Sequence, residues 1–424
     1  MTHNPGMAGS WIDLPSHRAW LDGEAARLLE FGARARLPGG GFGWLDDRGE
    51  ASPDGAVHTW ITARMTHVFS LASLRGTPGA AELADHGLAA LRGPLHDSEH
   101  GGWFGAVGPD GRPVSTEKAA YQHAFVVLAA SSATAAGRPG ANDLLSDALD
   151  VVEQRFWRED EGRCVESWDR DWTVLEPYRG GNSNMHAVEC FLAAADVTGD
   201  ARWRRRGLRI ATFLIHQQAR DMAWRVPEHY DEDWRPLLEY NAEHRDDPFR
   251  PYGFTVGHWL EWSRLLVGLE ASLAASRDEV PAWLVDDAGA LFRAAVRDGW
   301  AADGQPGFVY TIDVYGRPVV RARMHWVVAE GIAAAAALLR RTGDAYYESW
   351  YRTWWDHAAT CFIDREGGSW HHELSPENEP ASTVWAGKPD IYHAYQATLF
   401  PQLPVARSAA ACLLDQLAGR GGGG

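Results

Sequence analysis

Cysteine is scarce in this chain, and its cysteines are not closely paired. The 424 residues include 4 cysteines without a C-x-x-C spacing, and these are Cys164, Cys190, Cys361 and Cys412. A zinc site or a disulfide framework would favour closely spaced or patterned cysteines. We therefore expect free, mostly structural thiols, which fits a reducing cytoplasm.

Long basic runs and long apolar runs are also missing. The formal net charge is −17, so nucleic acid, which binds basic surfaces, is not expected as a partner. The N-terminal segment has no apolar core of a signal peptide, and no apolar run reaches the roughly 18 residues of a membrane helix. Neither secretion nor a membrane span is predicted. The tail "GRGGGG", residues 419–424, is predicted to be disordered.

Standard metal and cofactor motifs are absent as well. The chain contains no H-E-x-x-H, no calcium loop of the D-x-D-x-D-G type and no G-x-G-x-x-G between a strand and a helix. The run "HHE" at 371–373 offers neighbouring ligands, but adjacent side chains point in different directions on most backbones. We predict no metal and no redox cofactor.

Tryptophan, by contrast, is abundant, with 21 residues. Indole rings in such numbers are typical of a large core and of aromatic walls around a cleft, and such walls suit sugar rings. A small monosaccharide is therefore a reasonable partner, whereas the sequence does not decide whether the chain forms a homo-oligomer.

A repeat of about sixty residues organises the chain. Turn-rich segments with an aromatic residue and acidic, hairpin-like residues recur at 39–49, 101–113, 162–172, 222–234, 307–318 and 368–378. Pairs of helical runs lie between them, the first apolar nearly all round and the second amphipathic. The pattern predicts an all-α fold, a single (α/α)6 barrel over residues 1–424, with short β-hairpin-like loops at one mouth. The longer region 219–250 is interpreted as a lid or an oligomer contact.

One histidine falls near the start of each predicted inner helix: His67, His123, His186, His258, His325 and His393. A single buried histidine is more often a packed core residue than a functional one. Six in matching positions favour a functional set at the mouth, with room for two or three structural members.

Carboxylates near these histidines indicate acid/base chemistry. His258 and Glu261, like Asp390 and His393, are three residues apart, which places both groups on one helix face. A supported imidazole moves protons near neutral pH, and Arg64 can stabilise the resulting negative charge. Two alternatives remain. One is an inverting glycoside hydrolase that uses two carboxyl groups among Glu261, Glu330, Glu373 and Asp390, and the other is a sugar-binding barrel without catalysis.

Several motifs resemble one known family. "RGGNSNMHAVECFLAAADVTGD" (179–200) is similar to the "RGxNxNMHxxEAxLAAxxxTGD" block of the N-acylglucosamine 2-epimerase superfamily. The segments "TARMTHVFS", "YQHAFVVLA", "HWLEWSRLL", "GSWHHEL" and "GKPDIYHAYQ" resemble further blocks in the same order, over roughly residues 15–405. Acylglucosamine epimerases commonly have Trp-Trp-Pro where this chain has Met324-His325-Trp326. These residues and "GKPDIYHAYQ" instead resemble the bacterial branch of D-mannose and sulfoquinovose isomerases.

The resemblance implies a cofactor-independent aldose–ketose isomerase that interconverts D-mannose and D-fructose through a cis-enediol, with a sugar 2-epimerase as the alternative. It implies His258 and His393 as the acid/base pair and His186 as a helper in ring opening. It implies Arg64, Asn182 and Glu261 as substrate-binding residues. Weaker candidates for the wall of the site are His325, Trp326, Trp385, Asp390 and Gln396.

Overall fold

The computed structural model describes residues 9–421. Its α-helices in chain order are α1 (Pro15–Ala33), α2 (Thr59–Leu74), α3 (Ala80–Arg92), α4 (Ala120–Ala135), α5 (Ala141–Val151), α6 (Gly181–Thr198), α7 (Ala201–Ala211), α8 (Val256–Ala275), α9 (Trp283–Gly299), α10 (His325–Thr342), α11 (Ala345–His357), α12 (Tyr392–Leu399) and α13 (Ala409–Gly421). Helices α5, α7 and α11 continue as π-helical turns at Val152–Phe156, Thr212–Ala219 and Ala358–Phe362. Short 3-10 turns occur at Trp11–Asp13 and Phe400–Gln402.

The helices form two concentric layers. The even-numbered helices α2 to α12 are buried on nearly every residue, as in "AYQHAFVVLAASSATA" of α4, because neighbours surround them on all sides. The odd-numbered helices α1 to α11 bury one stripe only, as α5 does through Ala141, Leu144, Leu145, Ala148 and Leu149. Successive even-numbered helices pack side by side, and α12 packs against both α1 and α2, which closes the ring. The predicted (α/α)6 barrel is confirmed.

Two tight connections join inner to outer helices in the way "TGD" predicts. Gly199 and Gly343 adopt positive φ angles of 73° and 71°, a conformation that favours glycine at the end of a helix. Asp200 and Asp344 then accept backbone hydrogen bonds of 2.9 Å from residues 202 and 346. These aspartates therefore cap the N-termini of α7 and α11.

Short antiparallel strands build the mouth. They are β1 (Val57–His58), β2 (Ala106–Val107), β3 (Pro113–Ser115), β4 (Lys118–Ala119), β5 (Trp157–Arg158), β6 (Arg163–Cys164), β7 (Ser167–Trp168), β8 (Tyr178–Gly180), β9 (His229–Asp231), β10 (Phe254–Thr255), β11 (Thr311–Ile312), β12 (Arg323–Met324) and β13 (Glu373–Leu374). Only β2–β3 and β5–β6 are local hairpins; β1, β4, β8, β10 and β12 each lead directly into an inner helix and pair with β2, β7, β9, β11 and β13. Pairing across units therefore fixes the starts of these inner helices beside one another.

The far end of the barrel is covered by α13, which packs against α2, α4 and α6. Its backbone is helical to Gly421, which differs from the disordered tail predicted from residue 419; residues 422–424 lie outside the described residues. Within the described part of the chain, no helix is long and apolar enough to cross a membrane.

Candidate active site

A cavity of about 710 Å³ opens at the mouth, where the inner helices begin. Its lining contains all the predicted site residues except Gln396: Arg64, Asn182, His186, His258, Glu261, His325, Trp326, Trp385, Asp390 and His393. Because these side chains come from helices α2, α6, α8, α10 and α12 and from the loop before α12, closure of the ring assembles the site.

His258 and His393 each hold a glutamate through the same ring nitrogen. His258 Nδ1 lies 2.8 Å from Glu228 Oε2, and His393 Nδ1 lies 2.9 Å from Glu330 Oε1. A carboxylate at Nδ1 fixes that proton and leaves Nε2 as the nitrogen available to a molecule in the cavity. The carboxylates predicted from the three-residue spacing, Glu261 and Asp390, are not the partners of these two histidines.

Burial and neighbouring charges shift the pKa values of His393 and Glu330. Burial lowers the pKa of His393 below the usual value for histidine, although Glu330 partly opposes the shift. Burial alone would raise the pKa of the Glu330 carboxyl, but Arg264 and His393 hold it below its ordinary value. At neutral pH the pair is therefore a neutral imidazole on a carboxylate, the state of a general base.

His186 lies between two glutamates, Glu189 and Glu261. Its Nδ1 is 3.5 Å from Glu189 Oε2 and 3.7 Å from Glu261 Oε1, and burial lowers its pKa to about 4. Burial and the nearby Glu330 raise the pKa of Glu261 well above its ordinary value. The cavity thus contains a neutral imidazole beside a carboxyl whose affinity for a proton is increased.

One guanidinium connects the glutamates beneath the cavity. Arg264 Nε donates to Glu330 Oε2 at 2.9 Å, and Nη2 lies 3.3 Å from Glu189 and 3.5 Å from Glu261. His186, Glu189 and Glu261 also bring ligand atoms within 4.8 Å of one another, a grouping that could hold a metal ion. Arg264 already supplies positive charge to two of these carboxyls, which reduces the attraction of this grouping for a cation.

Arg64 is held rigidly at the cavity wall. Nη1 donates to Asp390 at 3.1 Å and Nη2 to the Tyr121 hydroxyl at 2.9 Å. The guanidinium carbon also lies 4.4 Å from the ring centre of Phe125 and 4.9 Å from that of Tyr392. Burial alone would lower the pKa of Arg64, but Tyr121 and Asp390 raise it above normal. Arg64 is therefore a fixed positive charge.

Trp326 packs between the two candidate bases. Its ring centre is 5.2 Å from that of His258 and 5.7 Å from that of His393. Gly257 permits this approach, because a Cβ there would lie 2.3 Å from the indole. His325 stacks at 3.8 Å on His372, a cavity residue that the sequence analysis raised only as part of "HHE".

An aromatic rim surrounds the opening, and most of it was not predicted residue by residue. Trp60, Tyr121, Phe249 and Tyr310 line the cavity with Trp385. Phe249 is half exposed and packs 5.2 Å from Trp385, so region 219–250 partly covers the mouth. The high tryptophan content was the available signal, but it does not say which rings share a cavity.

The carboxylate of Glu373 anchors part of this rim. It accepts backbone N–H groups from Thr383 at 3.0 Å and from Val384 and Trp385 at 2.8 Å. Glu373 and Glu330 are not in the cavity lining. Two of the four carboxyls considered for a glycoside hydrolase are thus committed to other contacts.

Three of the positions expected at the mouth do not line the cavity. Gln396, one helical turn after His393, lies deeper in the barrel, 3.3 Å from His67 Nε2. His67 contacts Ser132 at 2.7 Å, and His123 contacts the Ala119 carbonyl at 2.7 Å, so neither reaches the mouth. Of the six histidines, four line the cavity. His67 lies further along its helix from the mouth, and the ring of His123 instead packs near Trp103, Phe156 and Trp172.

Asn182 lines the cavity but does not cap α6. Gly180 is the N-cap residue, and no side chain caps this helix start. Asn182 Oδ1 is buried without a hydrogen-bond partner among residues 9–421. A buried carbonyl oxygen of this kind favours a ligand hydroxyl group as its donor.

The barrel and the five imidazoles that line the cavity at its mouth are typical of an enzyme that transfers protons on a small polar substrate, and the relatives described next are isomerases. The model of a protein family described as "N-acylglucosamine 2-epimerase (GlcNAc 2-epimerase)" matches residues 40–397. The chain belongs to this family.

Two relatives cover nearly the full length. A D-mannose isomerase of Thermobifida fusca is 59% identical over 95% of this chain and 98% of its own length. One of Pseudomonas cannabina pv. alisalensis is 53% identical over 97% and 99%. The crystal structure of a D-mannose isomerase superposes with a TM-score of 0.83 at 27% identity, covering 95% of this chain and all of that one.

Proposed function

We propose that this protein is an aldose–ketose isomerase that interconverts D-mannose and D-fructose. The observation that carries the proposal is the pair His258 and His393, whose rings flank Trp326 and whose Nδ1 atoms each hold a glutamate. The names of the two full-length relatives support the choice of substrate.

Ring opening comes first. A cyclic sugar opens when a proton leaves the anomeric hydroxyl and another reaches the ring oxygen. His186, neutral because burial lowers its pKa to about 4, accepts the proton of the anomeric hydroxyl and then delivers it to the ring oxygen. Glu261, whose pKa is raised by burial, lies beside it, with Oε1 3.7 Å from His186 Nδ1.

Isomerisation then moves one carbon-bound proton. One imidazole of the pair His258 and His393 removes the proton from C2 of mannose and returns it to C1, while the other moves the hydroxyl proton between O1 and O2. The intermediate is a cis-enediolate, whose negative oxygen is stabilised by Arg64. Because Asp390 and Tyr121 hold the guanidinium in place, little reorganisation is needed when charge develops.

Isotope labelling tests this reaction. In D₂O, fructose formed from mannose should carry deuterium at C1, which ¹H and ¹³C NMR detect, and a chelator should leave the rate unchanged. Mannose converted to glucose without fructose would instead identify a 2-epimerase. Release of reducing sugar from an oligosaccharide would identify a hydrolase.

Substitution of the bases provides the matched comparison. His258→Ala and His393→Ala should each abolish turnover in a folded protein. His216→Ala should not, because His216 lies on an outer helix and contacts Asp287 at 2.8 Å. Normal turnover in either of the first two variants would refute the site.

A cytoplasmic location and a homo-oligomer stay predictions. The four cysteines are free thiols, which supports a reducing compartment. Fractionation of cells and light scattering on the purified protein test the two predictions.

A further inference from the structure

A second cavity lies at the end of the barrel opposite the mouth, and we call it the distal cavity. It measures about 930 Å³ and is lined by the later turns of the inner helices and by residues 403–410. Concave sites with a mostly apolar lining commonly hold small organic molecules. The proposed isomerisation places no substrate in it, although Arg264 and Glu189 line it and also belong to the network of glutamates beneath the active site.

The body of the distal cavity is mostly apolar, and its polar lining residues are His67, Ser132, Glu189, Arg264, Ser272 and Gln396. Leu128, Leu192, Leu265, Ala333 and Phe400 line it together with Gly268 on α8. A Cβ placed on Gly268 would meet no described atom within 4 Å. The cavity therefore has open space beside a helix surface that otherwise packs tightly, and burial of an apolar ligand there is favourable.

The rim of the distal cavity is positively charged. Arg340 and Arg407 line it with side chains 25% and 34% exposed, whereas Leu265 is almost fully buried. Among the described lining residues, Glu189 is the one acidic side chain, and it already accepts from Arg264 and Tyr392.

The counter-ions of the rim arginines are exposed to solvent. Arg340 Nη1 is 4.0 Å from Asp13, whose side chain is 64% exposed, and Nη2 donates to the Pro401 carbonyl at 2.5 Å. Arg407 pairs with Asp415, whose side chain is 61% exposed. Exposed pairs of this kind contribute about 0–1 kcal/mol. A ligand carboxylate can therefore replace either partner at little cost.

We propose that the distal cavity is a binding site for a small amphiphilic anion, namely a monocarboxylate with a short apolar chain. The chain occupies the space beside Gly268 and Phe400, and the carboxylate binds Arg340 and Arg407 at the rim. The apolar lining and the open space match the apolar chain of such a molecule, and the charge of the rim matches its carboxylate.

Calorimetric titration with octanoate, 1-octanol and octylammonium tests the proposal. Octanoate should bind at least tenfold more tightly than octanol, and octylammonium should not bind. Arg340→Gln should reduce octanoate affinity towards that of octanol while sugar turnover stays unchanged. Equal binding of octanoate and octanol would overturn the role of the rim.

A blocking variant locates the ligand. Gly268→Leu should fill the cavity and abolish octanoate binding. Gly23→Leu is the matched control, since Gly23 is an exposed helical glycine on α1 whose Cβ also meets no described atom within 4 Å. If Gly268→Leu does not fold, Ala337→Leu, on the cavity wall, takes its place. Undiminished octanoate binding in the folded blocking variant would overturn the proposal.

Discussion

Replacement of Glu330 by glutamine tests whether a carboxylate on Nδ1 activates His393. Glu330 Oε1 is 2.9 Å from His393 Nδ1, and Oε2 accepts from Arg264 Nε at 2.9 Å. Glutamine keeps the shape and one neutral acceptor but removes the charge. Hydrogen bonds to charged groups contribute about 1.5–3 kcal/mol. At about 1.36 kcal/mol per tenfold in rate, kcat should fall roughly 10- to 150-fold.

Two measurements, KM and the pH dependence of kcat, distinguish activation of His393 by Glu330 from a purely structural role of Glu330. Glu330 does not line the cavity, so KM should change little. Because Glu330 raises the pKa of His393, its removal should shift the acidic limb of kcat to lower pH. Steady-state kinetics between pH 4.5 and pH 8, with circular dichroism as a check of folding, measure both effects.

Glu270→Gln is the matched control. Glu270, like Glu330, lies on an inner helix and accepts from an arginine, Arg341, at 3.0 Å and 3.2 Å, but Arg341 is half exposed and the pair is remote from the imidazoles. Its kcat should stay within twofold of the original. Unchanged kcat in folded Glu330→Gln, or an equal loss in Glu270→Gln, would refute the reasoning.

Two further predictions follow from the same contacts. Burial lowers the pKa of His67 and His186 to about 4, below the value of about 6.5 in an unfolded chain. Unfolded protein then binds more protons below pH 6.5, so the Tm should fall as the pH drops from 6.5 towards 4; a constant Tm in calorimetry over this range would contradict it. Glu373→Gln should weaken the hydrogen bonds that fix residues 383–385 and so loosen Trp385 at the rim. The KM for mannose should then rise several-fold with kcat nearly unchanged. A loss confined to kcat would argue against a role of Glu373 in positioning the rim.

Sequence patterns were sufficient for the fold because the features that distinguish the two helix layers are local. An inner helix such as α4 is apolar on all faces, and an outer helix such as α5 has one stripe, so each reveals its layer by itself. The motifs around His186, His258 and His393 likewise predicted residues that share one cavity.

The partners of those residues could not be predicted in the same way. Glu228 and Glu330 lie 30 and 63 residues before the histidines they contact, and no local spacing reveals such pairs. Gln396 lies outside the cavity for a related reason, since one helical turn beyond His393 carries a side chain from the mouth to the interior. Contacts across helices depend on the closed ring.

Closure of that ring also determines when the site can exist during synthesis. The first helix, α1, packs against α12 near the other end of the chain, and Arg64 on the first inner helix pairs with Asp390 in the last unit. A nascent chain that ends before Asp390 therefore lacks both the closing helix and the counter-ion of Arg64. Its first inner helix would expose an apolar flank until α12 has been made, and activity therefore reports that the ring has closed.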